Sequence, residues 1–418
     1  MTERESVVGI VGSGIAGLRA ADAILKRRAD ARIIIFGDEN HRTYNRPGLT
    51  KNRYPTSTSS DMPIVEDLKI RRAENDALTW RLGTRVESAD LRNKLLHLSS
   101  GETFAYGRLV IATGVRPRTS TAQTGREREC YTHRTLRDLD DARVIHHELQ
   151  KNKKVTIMGA GFVACELASL AKEYGCDVVM LEALRRGPFE SILGERISTA
   201  LAHWLVKNGV TFLTGKAARD KLRDRSASQS LSIEAIGSVP NVEWLRGNGL
   251  DLSDGVRVDE YMRVPGYADV FAAGDIAQYP DPWALGSLTR REFWKNAIDT
   301  GDLAGRSVAS SLNHDGKISP IEYFPNVTTE ICGLRIQIAG NLNMSDSVEI
   351  MYGDLNQLDH GVLVRFLHKG TMVGVAYMDT GARFNSAYIK LLTSLKLRWR
   401  EDRASAYSAL AVRADWTT

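Results

Sequence analysis

The stretch VVGIVGSGIAG, residues 7–17, decides the fold. Its first five residues are an apolar run of strand type, and GSGIAG (Gly12 to Gly17) follows at once. Outward from it, Leu18, Ala21 and Leu25 recur at helical spacing up to Lys26-Arg27-Arg28, whose charges suit a helix C-terminus. Arg32–Phe36 is a second apolar strand, closed by Gly37-Asp38-Glu39. A strand–turn–helix–strand unit of this kind binds a dinucleotide through its geometry. Gly12 permits the tight turn, Gly14 lets the backbone approach a pyrophosphate, and Gly17 allows close helix–strand packing. Ile15 and Ala16 open the helix, whose free N–H groups and positive dipole end face the phosphates. Asp38 or Glu39 stands where a ribose hydroxyl pair is held.

The same grammar returns about 147 residues later. Val155–Met158 is a strand, GAGFVA (Gly159 to Ala164) is the turn, a helix runs to Tyr174 with Gly175 at its C-cap, and Val178–Leu181 leads into Glu182. Gly159, Gly161, Phe162 and Val163 build this second turn, and Ala164 is small enough for the third glycine position. The repeat predicts two dinucleotide domains. Glu182 would accept hydrogen bonds from a 2′-OH and repel a 2′-phosphate, which favours NADH. Arg185 and Arg186 follow closely; they either soften that preference or are solvated residues at a helix start.

A chain of 418 residues exceeds one compact core. No apolar run approaches the roughly 18 residues that span a bilayer, and the N-terminus lacks a signal-peptide pattern, so a cytoplasmic protein free of membrane is expected. Cys130, Cys165, Cys176 and Cys332 have no short CxxC spacing and read as reduced, mostly buried thiols. His146 and His147 are adjacent and point apart on a helix, so no metal site is expected. The net charge is +5, but Lys and Arg are spread among nearly as many acids. That argues against nucleic acid and suits anionic dinucleotides or an acidic protein partner.

Between and beyond the two units, Leu95–Leu98 and Thr103–Tyr106 read as a hairpin, and Leu109–Ala112 as a strand ending at Thr113-Gly114. Lys216 to Gln229 is polar without clear periodicity and reads as a loop. Val270–Ala273 is a buried strand ending at Gly274-Asp275. Gly361–Leu367 and Met372–Met378 alternate around His368-Lys369-Gly370 as a second hairpin, and Ser386 to Arg400 reads as a helix. The predicted fold is α/β, with two Rossmann-like dinucleotide domains in the manner of glutathione reductase plus a C-terminal α+β domain. The predicted first dinucleotide domain comprises residues 1–115 and 250–318, the second 116–249, and the last domain 319–418.

Gly37-Asp38-Glu39, Tyr44-Asn45-Arg46-Pro47 and Leu49-Thr50-Lys51 resemble the GDE…PYxRPPLSK pattern of FAD-dependent NADH reductases of oxygenase ferredoxins, putidaredoxin and rubredoxin, a family close to apoptosis-inducing factor. The resemblance continues through IATGVRPR (Ile111 to Arg118), HRTL around Arg134, AIGSVPNVEWL (Ala235 to Leu245), AAGDIA (Ala272 to Ala277) and RREFWKNAIDTG (Arg290 to Gly301). It implies that Gly274 and Asp275 hold the ribityl chain of FAD. It places Lys51 beside the flavin, Glu166 in a pair with that lysine, and Trp294 near the ring. Arg46, Val86, Ala112, Thr113, Gly114 and Arg134 fall at FAD-binding positions, and Gly237 joins the cofactor-binding set. A cation beside the flavin stabilises the charge that develops as hydride arrives, and a carboxylate orients it.

Residues 37–60 contain no cysteine, whereas disulfide reductases of this architecture carry CxxxxC after the first acid. Electrons are then expected to leave the flavin directly, toward a carrier that accepts one at a time. The resemblance implies NADH-dependent reduction of an acidic ferredoxin-type carrier serving an oxygenase or cytochrome P450. The alternatives are reduction of a small molecule (oxygen, a quinone or a nitro compound) and a flavin-binding docking protein with weak turnover. Two stretches depart from the family. The segment from about Lys216 to Glu234 is short, with no recognisable strand–acid element before AIG, and Tyr323-Phe324-Pro325-Asn326 replaces YFWSDQ. Lys390, Lys396, Arg398 and Arg400, around an apolar stripe of Ile389, Leu392 and Leu395, are the candidate basic docking patch.

Overall fold

Strands rich in Val and Ile pair in parallel when both of their faces can be buried, and the first unit does so. In the computed structural model, which describes residues 7–51, 68–70, 75–120, 133–184, 186–223, 231–281, 287–313, 318–381 and 385–413, the first sheet runs in the spatial order Val270–Ala272, Arg108–Ile111, Val7–Val11, Arg32–Phe36, Leu78–Arg81. All four pairings are parallel. Ile10, Ile33, Ile35, Val110 and Phe271 are essentially inaccessible to solvent. Each such side chain contributes ~1.5–3 kcal/mol of burial.

The helix Ile15–Arg27 lies against the twenty-residue helix Trp294–Asn313. A Cβ at Gly301 would collide with the backbone of Ala16, and one at Gly305 with that of Ala20. Two glycines one turn apart therefore let the helices approach to backbone contact. The chain thus closes the first unit with segments from both sides of a long insertion.

The insertion forms a second five-stranded sheet, ordered Val210–Thr214, Asp177–Glu182, Lys154–Met158, Leu231–Glu234, His133–Thr135, again wholly parallel. It connects to the first unit through two crossing strands, Val115–Pro117 and Ser238–Pro240, paired antiparallel. Of Lys216 to Gln229, read as loop, residues 216–223 belong to a helix, Gly215–Arg223, and 224–229 lie outside the described residues. Ala218 is buried, and Arg219 is tied to the carbonyl of Ala183 at 2.6 Å. Ala217, Ala218 and Leu222 are the helix's apolar side chains, too short a run among charges to show a helical period. The strand–acid element thought missing is Leu231–Glu234, all four residues buried, with Glu234 accepting the backbone N–H of Ser120 at 3.0 Å.

The expected first hairpin is present as Leu95–Leu98 with Thr103–Ala105, extended by Val86–Asp90. The last part of the chain is an antiparallel sheet, ordered Asn326–Ile331, Leu334–Gly340, Thr371–Asp379, Val362–His368, Ser347–Tyr352. One face, with Ile336, Val364 and Ala376, packs onto the second unit's helices, and the Trp204 indole N–H donates to the Ile331 carbonyl at 2.9 Å. The other face, with Val375 and Tyr377, is covered by the helix Ser386–Arg413, which runs well past the expected end at Arg400. Among the described residues no helix is long and apolar enough to cross a membrane.

Candidate functional site

The two fingerprints adopt the same strained turn. Gly12 sits at φ +122° and Gly159 at φ +110°, and a side chain at either would strike a backbone carbonyl, that of Ala112 or Ala235. At Gly14 and Gly161 the space a Cβ would take is open. Each glycine caps its helix in extended conformation, leaving the first-turn N–H groups facing that space. Gly17 packs over the carbonyl of Gly12, as close helix–strand contact requires.

In front of the first fingerprint opens a cleft of about 960 Å³, at the upper end of the ~300–1,000 Å³ typical of small-molecule sites. It brings together Gly12, Gly14, Ile15, Ala16, Asp38, Glu39, Arg46, Val86, Ala112, Thr113, Gly114, Val163, Glu166, Gly274, Asp275 and Trp294. Each acid after the second strand has a basic partner. Asp38 pairs with Arg85 at 2.6 Å, while Glu39 accepts the Tyr44 hydroxyl at 2.7 Å and the Arg46 guanidinium. Thr113 and Asn241 exchange side-chain-to-backbone hydrogen bonds of 2.9 Å, fixing the ATG turn at the crossing strands.

Asp275 lies on the short turn Gly274–Ile276, its carboxylate 3.5 Å from the Arg137 guanidinium and its carbonyl accepting from Arg290 at 2.9 Å. Burial pushes the Asp275 carboxyl up, while Arg137 pulls it back. Burial, and then the nearby Arg46, push the Arg137 guanidinium down from its usual value.

Arg137 is the residue the sequence reading missed. Arg134, expected at the cofactor, stands on His133–Thr135, the edge strand of the second sheet, and is not among the residues lining the cleft; Arg137 is. The reason is the capping box of the next helix. Asp138 is the N-cap and accepts from the Asp141 N–H at 2.8 Å, and Arg137, just before it, turns into the cleft. The signal was legible in RDLDDA, an arginine directly before an aspartate with an acid three residues on.

Three parts of the chain meet around Glu166. Lys51, after the turn Arg46–Thr50, stands 3.7 Å from the Glu166 carboxylate on the helix Phe162–Glu173. Glu166 also accepts the hydroxyls of Thr50 and of Thr329, the latter at 2.7 Å. Its side chain is only 12% exposed, whereas that of Lys51 is 41% exposed. His146 holds the same turn from beneath, its Nε2 3.3 Å from the Leu49 carbonyl.

On the second unit, Phe162 stacks on Phe189 with centroids 4.6 Å apart, and Val163 is exposed toward the cleft. Glu182 ends its strand half-buried and accepts the Leu184 N–H at 2.8 Å. Gly237, at φ +110°, accepts the Arg118 N–H at 2.9 Å beside the crossing strands. Arg186 is exposed, and Arg185 lies outside the described residues.

Cys165 and Cys176 are buried and Cys332 partly so; burial pushes all three thiols up. Cys130 lies outside the described residues. The expected apolar stripe on the C-terminal helix does not form one surface. Leu395 is wholly buried against the sheet while Ile389 is 40% exposed, because the residues are three apart and straddle the helix's buried edge. Lys390, Lys396, Arg398 and Arg400 are exposed, with the Lys396 ammonium over the Phe324 ring and Arg398 beside Asp402 at 3.5 Å.

Two nucleotide-binding folds, with a lysine–carboxylate pair between them, define an oxidoreductase that works with nucleotide cofactors. The chain belongs to the pyridine nucleotide-disulphide oxidoreductase family, whose model matches residues 6–301. Flavin and NAD(H) go with that membership. The p-cumate 2,3-dioxygenase system ferredoxin–NAD(+) reductase component of Pseudomonas putida is 35% identical over 312 residues, 72% of this chain and 74% of that relative. The corresponding anthranilate 1,2-dioxygenase component of Burkholderia cepacia is 30% identical over 298 residues, 69% of this chain and 72% of the relative. Among solved structures, the ferredoxin reductase for the CYP199A2 system from Rhodopseudomonas palustris superposes with a TM-score of 0.75 at 25% identity, covering 90% of this chain and 91% of its own. The putidaredoxin reductase–putidaredoxin complex, at 23% identity and TM-score 0.77, shares the fold.

Proposed function

We propose that the protein is an FAD-dependent reductase that takes hydride from NADH and passes electrons singly to an acidic ferredoxin-type carrier serving an oxygenase or cytochrome P450. The Lys51–Glu166 pair carries this reading, since it joins a residue of the first fingerprint unit to the helix that follows the second fingerprint. The relatives' names support the carrier class. Open space at Gly14, a positive helix end and the nearby Asp275–Arg137 pair support FAD as the group held there. Gly14, Arg46, Arg137 and Asp275 would hold the pyrophosphate and ribityl chain. Gly161, Phe162 and Glu182 would hold the NADH.

Bound there, the flavin supplies acceptance of a hydride from NADH and release of the electrons one at a time. The chain's part is positioning and charge. Lys51, tethered by Glu166, is the cation available where negative charge develops, and it costs no reorganisation at that moment. The buried thiols contribute no chemistry. A variant with all four cysteines changed to Ala or Ser keeps most of its flavin reduction rate, and loss of that rate in a folded variant would overturn direct transfer.

Glu182 sets the nucleotide preference. A carboxylate facing a 2′-phosphate costs about 1.4 kcal/mol or more, so kcat/KM favours NADH about tenfold. A higher kcat/KM with NADPH would refute the role of Glu182.

The acceptor is tested by salt. Steering of an acidic carrier by Lys390, Arg398 and Arg400 makes kcat/KM for the carrier fall steeply with ionic strength, while NADH-to-ferricyanide turnover changes little. Reversing Arg398 and Arg400 to Glu mimics the loss. Carrier reduction insensitive to both treatments would move the assignment to a small-molecule acceptor.

A further inference from the structure

Glu166 is held from both sides, and one of its holders comes from neither dinucleotide unit. Thr329, on the edge strand Asn326–Ile331 of the C-terminal sheet, is only 2% exposed and donates its hydroxyl to Glu166 Oε1 at 2.7 Å. The Thr50 hydroxyl takes the other oxygen, Oε2. The strand alternates, so Thr329 and Ile331 face the helix Phe162–Glu173 while Thr328 and Glu330 face outward. One helical turn beyond Glu166, the Ser169 hydroxyl accepts the backbone N–H of Cys332 at 2.8 Å. Two residues of the strand and its turn, three apart, therefore meet two residues of the helix, also three apart.

We infer that Thr329 is a positioning residue through which the C-terminal domain sets the Lys51–Glu166 pair, and so the rate at which the flavin is reduced. This rests on the reading that Lys51 and Glu166 flank the transfer site. A glutamate's terminal torsion is broad and two-fold, so a carboxylate with one donor still swivels. Donors on each oxygen, from elements rooted in different domains, fix its plane. Lys51, at 41% exposure and outside the residues lining the cleft, pairs with Glu166 at 3.7 Å, so a fixed carboxylate fixes where its ammonium stands. Ser169 and Cys332 hold the same interface without touching the carboxylate, which separates positioning from mere adhesion.

The test uses flavin-loaded protein, four single variants (Thr329→Val, Thr329→Ser, Glu166→Gln and Ser169→Ala) and the double variant of Glu166→Gln with Thr329→Val. Thr329→Val removes the donor while keeping the shape. Its limiting rate of reduction by NADH falls about tenfold, with the NADH dissociation constant moved by less than about threefold. The visible spectrum of its oxidised flavin shifts in the same direction as in Glu166→Gln. Thr329→Ser restores both properties to within about twofold of the parent. Ser169→Ala leaves rate and spectrum alone. In the Glu166→Gln background, Thr329→Val adds no further loss, the non-additivity expected of residues acting through one group.

A Thr329→Val protein matching the parent in rate and spectrum would overturn the inference. So would Thr329→Ser behaving like Thr329→Val, or a Ser169→Ala effect of equal size. The spectrum is read without reductant and judges Thr329 alone. Failure of NADH to reduce the parent protein would instead sink the proposed activity.

Discussion

Changing Lys51 to Met lowers the limiting rate of flavin reduction by NADH about 100-fold, some 2.7 kcal/mol of barrier, while NADH binding moves by less than about threefold. Met keeps the reach of the lysine and removes its charge. Among the described residues the ammonium pairs with Glu166 at 3.7 Å, and its side chain is 41% exposed, so its loss removes little stability. An interaction with charge that exists only in the transition state appears in the rate and not in ground-state affinity. Stopped-flow reduction across a range of NADH concentrations separates the two. An unchanged limiting rate would return Lys51 to the role of a surface lysine.

Replacing Asp275 by Ala strips the protein of flavin on gel filtration, to less than about a tenth of the parent occupancy, since each 1.4 kcal/mol of lost binding is tenfold in affinity. Two losses combine. The carboxylate that would hold the ribityl hydroxyls is gone, and Arg137, 3.5 Å away and partly buried, loses its counter-charge. Absorbance of the protein fraction at flavin and aromatic wavelengths measures the ratio. Full retention of flavin would remove Asp275 from the site.

Both fingerprints were legible because their chemistry is local. A strand, three small residues and a terminal acid occupy about thirty consecutive positions, and each glycine answers a constraint within its own turn. Lys51 and Glu166, 115 positions apart, were reached only through resemblance, because no periodicity relates them. The helix Gly215–Arg223 escaped because its nine residues carry only two alanines and one leucine among charges. Arg134 came from resemblance, whereas Arg137, three residues on, lines the cleft because it directly precedes the cap at Asp138. Thr329 had no sequence signal. A threonine on an edge strand looks like any other until the fold lays that strand against the helix bearing Glu166.

The strand Val270–Ala272 completes the first sheet beside Arg108–Ile111, from the far side of an insertion of about 160 residues. On the ribosome this sets an order of events. At ~5–20 residues per second, the edge at Arg108–Ile111 waits on the order of 10–30 s for its neighbour, with its backbone groups and apolar side chains unpaired. The inserted unit has all five of its strands by residue 234 and folds during that wait. The helix Trp294–Asn313, whose glycines seat on Ala16 and Ala20, emerges later still. The first-made part of the molecule is thus among the last to be finished, and a chain truncated before residue 300 exposes an unfilled groove along its oldest helix.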